Sequence, residues 1–206
     1  MGSELRQELG APLLPDVPAF RMAVPEGWIA FAATPENERA LLQQASKRLM
    51  QQHRPDLMAE VQAMTTQSFK RLRSERGFMV VMPGDTTPEE LFLPTAIHGS
   101  VRAATAQYTL DQVVKGAVAR WGARPLDSNK QIAAWRQEGK ISVQGEDVST
   151  TTAAYLIPIP GAKRSRALQL VAAFVHPDER DPDDDLIEQW IDLIDAHVAT
   201  FAWEKP

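Results

Sequence analysis

Cysteine is absent from the 206 residues. That removes disulfides, thiolate metal ligands, cysteine nucleophiles and iron–sulfur chemistry together. Histidine is scarce, and none of His53, His98, His176 and His197 lies in an HExxH or HxH spacing, so the sequence writes no zinc site. No GxSxG, SxxK or GxGxxG occurs, and serine hydrolases and nucleotide-dependent enzymes lose their usual signatures. No apolar run approaches the roughly 18 residues of a membrane span. A basic excess is lacking too. The 22 cationic residues face 27 acidic ones for a net charge of −5, which argues against a dedicated nucleic-acid binder.

What is present is ordinary for a globular domain: 44% hydrophobic and 24% charged residues. A chain of this length buries roughly 70% of its unfolded surface and needs no staples. The first residues carry no export signal, because Leu9 to Pro15 is short, broken by proline and preceded by Glu4, Arg6 and Glu8. A cytoplasmic protein is the expectation.

Residues 1–18 read as a loose arm, with Pro12, Pro15 and Pro18 opposing regular structure, and 19–206 as one domain. Ala19 to Val24 is predicted as a strand, closed by the turn Pro25-Glu26-Gly27-Trp28. From Glu36 to Arg76 the spacing turns helical. Leu41, Leu42, Ala45, Leu49 and Met50 form one stripe; Leu57, Val61, Met64, Ser68 and Leu72 form a second. His53-Arg54-Pro55-Asp56 separates them, since the residue before a proline avoids the helical region. A helical hairpin closed by Gly77 is expected.

Phe78 to Met82 reads as a strand. Residues 91–97 and 100–107 read as two more, with His98 at the turn between them. Thr109 caps a helix carrying Leu110, Val113, Val114, Ala117, Val118 and Trp121, and Gly122 ends it. Short strands are assigned to 124–144, one around Ile132 to Arg136. Val148–Ile157 and Arg166–Val175 are strands joined by a loop, and the second, apolar on both faces at its end, is placed centrally. The last helix starts in the acidic run 181–185 and carries Ile187, Trp190, Ile191, Ile194, Val198 and Phe201. The expected class is α+β: an α/β/α sandwich with a mostly antiparallel sheet and a helical excursion at 36–76 after the first strand.

Few residues point to chemistry. Asp178, Glu179, Asp181, Asp183, Asp184 and Asp185 suit a hard cation by charge, but they lack the glycine and terminal glutamate of a calcium loop. Acids in a first helical turn are also what the helix dipole favours. Lys163, Arg164 and Arg166 put three cations in a hairpin loop without the paired glycines and following helix of a phosphate loop, and they read as a solvated tip at the rim of any anion site. The five tryptophans read as packing. No catalytic residue, metal or cofactor is expected. Charge is the more informative feature. Between residues 38 and 76 eight cationic residues oppose four acidic ones, an excess of +4; from 176 onward two oppose ten, an excess of −8. Such polarity favours an electrostatically guided contact with an acidic protein surface, or self-association. Arg71, Arg73 and Arg76 cluster at the end of the basic segment.

A strand into Val24-Pro25-Glu26-Gly27-Trp28, the hairpin Tyr155-Leu156-Ile157-Pro158-Ile159-Pro160-Gly161 and a terminal helix ending in Phe201-Ala202-Trp203 together resemble the PsbP-like α/β/α sandwich family. Residues 19–203 are similar, more narrowly, to actinobacterial proteins that open with a Pro-x-Gly-Trp strand. The wider fold includes extrinsic photosystem subunits, Ran-binding Mog proteins and mycobacterial lipoproteins. The resemblance implies a non-catalytic, protein-binding adaptor or chaperone-like accessory protein, as of a bacterial secretion or effector system, with no nucleic acid or membrane as partner. A small-molecule or anion-binding domain is the alternative, and a hydrolase with a non-standard site comes third.

Overall fold

A computed structural model describes residues 17–128, 131–143, 146–176 and 186–204. The loose arm up to residue 16 and the acidic run from Asp178 to Asp185 lie outside these residues. Seven strands form one antiparallel sheet: β2 (Trp28–Ala32), β3 (Gly77–Pro83), β4 (Ile97–Ala103), β5 (Arg124–Pro125), β6 (Ala133–Val143), β7 (Glu146–Pro158) and β8 (Arg166–His176). Their spatial order is β2-β3-β4-β8-β7-β6-β5. β8 is therefore central, as its two-sided apolar pattern predicts.

Alternation along the strands builds two apolar faces. Tyr155, Ile157, Leu168, Leu170, Ala172 and Phe174 face helix α4 (Leu186–Val198), whose Ile187, Ile191, Ile194 and Val198 bury against them. On the opposite face α3 (Leu110–Trp121) lays Leu110 and Ala117 over Trp135, Ala154 and Leu156. Beside it, Leu72 of α2 (Met58–Ser74) covers Val80, and α1 (Pro35–Gln51) packs against α2. Helices thus sandwich an antiparallel sheet, in agreement with the α+β reading.

The helix ends follow the sequence closely. Thr109 accepts from the Gln112 backbone while the Gln112 side chain accepts from the Thr109 N–H, a capping box. Gly122, at φ 64°, ends α3 in the left-handed conformation that glycine adopts without steric cost. α2, by contrast, ends ahead of Gly77: Arg76 takes the left-handed position at φ 58°, and Gly77 already opens β3.

Four expectations need correction. β2 follows the turn at Gly27, so the helical hairpin leaves the sheet after Ala32 rather than after the strand at residue 20. His98 lies within β4, opposite Val80 and Val171, and not at a turn. Residues 91–97 are largely irregular, around a short 3-10 turn at Glu89–Leu91. Phe201 to Trp203 do not extend the terminal helix. Ala202–Trp203 form β9, antiparallel to β1 (Phe20–Arg21). Phe20 packs against both Phe201 and Trp203, with ring centroids 5.0 and 6.0 Å away. That aromatic contact pins the two ends of the described chain together.

Candidate functional site

The α1–α2 hairpin is fastened at its base and again along α1, and part of its apolar surface is left exposed. Thr34 caps α1 by accepting from the Asn37 N–H, and Pro55 restarts the chain through a 3-10 turn into α2. At the base, Arg73 pairs with the buried Glu38 at 2.8 Å and lies over the Phe69 ring. Phe69 stacks on Phe31 of β2 with centroids 6.3 Å apart. Midway along α1, Gln44 donates to Asp85 at 2.6 Å and Arg48 ion-pairs with the same carboxylate. Farther out the apolar stripes find little cover: Met50 is 62% exposed and Met64 52%. Between the hairpin and the sheet runs an apolar cleft of about 270 Å³, lined by Leu41, Met64, Phe69, Leu72, Met82 and His98 among others.

The three arginines singled out at the end of the hairpin do not form one patch. Arg71 is exposed and pairs with Glu75 at 2.9 Å. Arg76 is exposed at the turn. Arg73 turns inward to Glu38 and serves as a strut between the two helices. Arg39 and Arg54 also have nearby carboxylates, Glu36 and Asp56. Among the described residues Lys47, Lys70 and Arg76 have no ion-pair partner, and they carry the basic excess outward.

The second set of cations divides as well. Lys163 and Arg164 adopt left-handed backbone at φ 47° and 61° in the β7–β8 connection. Lys163 is exposed. Arg164 reaches Asp111 of α3 at 3.4 Å and stands at the rim of a groove of about 560 Å³ between α3 and the strands β5 to β7. Arg166 belongs to β8 and does not line that groove.

A buried polar cluster escapes any sequence reading. The Tyr155 hydroxyl donates to Asp195 at 2.6 Å, Arg136 pairs with the other oxygen of the same carboxylate, and the guanidinium lies over the Tyr155 ring. Burial, then the Asp195 charge, pushes the Tyr155 phenol well above its ordinary range. Nearby, Thr151 lies 3.1 Å from His176 Nε2 and 2.9 Å from both Glu138 oxygens. Glu138 approaches the same Nε2, at 3.9 Å, so it cannot orient the ring from the far nitrogen as a triad acid does. Thr151 is moreover only 1% exposed. The first cluster joins β6, β7 and α4 and the second β6, β7 and β8, so no local spacing signals either. Among the described residues no three histidine or acidic side chains converge to hold a metal, and no helix is long and apolar enough to cross a membrane.

The chain matches no protein-family model, no curated protein and no solved structure.

Proposed function

We propose that the protein is a non-catalytic adaptor or chaperone-like accessory protein whose α1–α2 hairpin receives an acidic protein partner. The observation that carries this reading is the hairpin's exposed apolar surface: Met50 stands in water, and the half-exposed Met64 lines an apolar cleft between the hairpin and the sheet. Flexible methionines are suited to contacts that adapt to a partner. Lys47, Lys70 and Arg76 supply a cationic border that speeds encounter with an acidic surface. The exposed Arg39, Arg54 and Arg71 pairs can be exchanged for partner carboxylates at little cost, because surface ion pairs are worth about 0–1 kcal/mol. The short motifs that resemble the PsbP-like family imply the same reading.

The test places a photocrosslinking side chain at Met64 and, as control, at exposed Asp192 of α4, in the native host. One partner should crosslink at position 64 and not at 192. The yield should fall with added salt and in Lys47→Glu, Lys70→Glu, Arg76→Glu. Equal capture at both positions, or capture indifferent to salt and charge, would overturn the proposal. A second reading, a small-molecule or anion-binding domain, draws on one observation: Arg164 stands at the rim of the groove between α3 and strands β5 to β7.

A further inference from the structure

On the far side of α3 from that groove lies a trench of about 380 Å³, floored by residues of β4, β6, β7 and β8. We propose that it binds a small aromatic oxyanion, a planar ring bearing a carboxylate or a phosphate. Four features converge there that packing alone does not require.

The first is Gly116, in the middle of α3 and lining the trench. Glycine is among the poorest residues for a helix interior. Yet a Cβ at this position would meet nothing within 4 Å. No neighbour demands the glycine, and its effect is to keep the trench wall low. The second is Trp135 on the floor, 6% exposed, whose indole N–H is buried without an acceptor. Buried donors are rarely left so, because the unmade bond is costly. The third is exposed aromatic surface: Trp121, stacked on Trp135 at 6.3 Å, is 43% exposed, and Tyr108 is 65% exposed.

The fourth feature is charge. Arg102 and Arg120 line the trench, and no acidic residue lines it with them. Arg102 bonds only to the neutral Gln169, at 3.2 Å, and Arg120 has no ion-pair partner among the described residues. Two guanidinium groups without a carboxylate suit an oxyanion, which they can grip with paired donors. The exposed aromatic faces suit a ring, since stacking accepts any flat π system. This site is separate from the hairpin and does not depend on the adaptor reading.

Calorimetry on the full chain at low salt, with tryptophan fluorescence in parallel, tests the proposal. Indole-3-acetate and AMP represent the carboxylate and phosphate sources; adenosine keeps a ring without the charge, and glucuronate a charge without the aromatic ring. At least one ringed anion should bind and quench fluorescence, at least tenfold more tightly than adenosine and glucuronate. Which anion binds identifies the source. Gly116→Leu, which fills the trench while favouring the helix, should weaken binding at least tenfold, and so should Arg120→Gln. Gly116→Ala, a smaller intrusion, serves if the leucine variant fails to fold. The proposal fails if neither anion binds at millimolar concentration, if the two controls bind equally well, or if the folded Gly116 variants bind like the wild type.

Discussion

Tyr155 on β7 and Asp195 on α4 are joined by a 2.6 Å hydrogen bond, and Arg136 on β6 holds the second oxygen of the same carboxylate. This places a charge pair, 8% exposed at Asp195, between the terminal helix and the sheet. An arrangement of that kind fixes where the helix sits more than it adds stability, because desolvating the charges offsets most of their attraction. Removing one partner is another matter. Asp195→Ala leaves Arg136 without its carboxylate and should cost about 3–5 kcal/mol. Tyr155→Phe removes one hydrogen bond to a charged group and should cost about 1–3 kcal/mol. Because both mutations break one network, the double mutant should lose clearly less than the sum. Urea midpoints measure all three, and strict additivity would show that the groups act independently.

The same helix gives a second contrast. Ile194 is fully buried, whereas Trp190 is only partly buried and stacks on Phe174 at 6.1 Å. The apolar stripe of α4 treats the two as equivalent; the packing does not. Ile194→Ala should cost about 2–5 kcal/mol as a core truncation. Trp190→Ala should cost less, losing a stacked pair worth about 0.5–1.5 kcal/mol together with partial burial. If the tryptophan proves the costlier loss, α4 is seated differently on the sheet.

Arg71 and Arg73, two residues apart on α2, should behave oppositely. Arg71 pairs with Glu75 in water, and Arg71→Ala should change stability by under about 0.5 kcal/mol. Arg73 pairs with a Glu38 side chain that is 11% exposed, so Arg73→Ala leaves a nearly buried carboxylate unpaired. A loss above about 1 kcal/mol is expected, since an unsatisfied buried charged group costs at least that much. Thermal melts of the two variants compare them directly, and equal shifts would contradict the strut role of Arg73.

Local signals were legible in the chain, and non-local ones were not. The capping of α3 by Thr109 and its end at Gly122, the break at Pro55 and the central place of β8 all rest on residues adjacent in sequence. The placing of His98 at a turn fails because the glycine that follows it, Gly99, resembles a turn residue without being one. Here it lies within β4, where a Cβ would come within 3.0 Å of the Met79 side chain, so close packing between strands is its reason. Phe201 continues an apolar stripe by spacing, but α4 ends at Val198, and Ala202–Trp203 pair as a strand with Phe20–Arg21, far away in the chain. The trench shows the same limit. Trp121 and Trp135 are legible as packing aromatics, and only the fold reveals the exposed ring of one and the unpaired N–H of the other.

His197, near the end of α4, should impose a pH dependence. Burial lowers its pKa, and a backbone hydrogen bond with Ala23 opposes the shift without cancelling it. The folded state therefore prefers the neutral ring. Stability is unaffected by this group above the unfolded value of about 6.5, and it falls as the pH drops below that value, where the unfolded chain binds the proton first. Denaturant midpoints from pH 7.5 to 5 should decline on the acid side, and His197→Gln should make that decline shallower. An unchanged slope in the variant would remove His197 from the account.

Two glycines of α3 should respond to alanine with opposite sign. Gly122 holds φ 64° at the C-terminal cap, a conformation that costs an ordinary L residue roughly 1–2 kcal/mol. Gly122→Ala should therefore destabilise by about that amount. Gly116 lies in regular helix with open space where its Cβ would stand. Nothing clashes on substitution, and the unfolded chain loses freedom, so Gly116→Ala should stabilise by about 0.5–1 kcal/mol. A stabilising replacement would show that the fold itself does not require this glycine, which lines a trench of aromatic and cationic side chains. Chemical denaturation of the two variants without ligand decides the point. If Gly116→Ala is destabilising, the glycine has a structural reason, and it no longer speaks for a ligand in the trench.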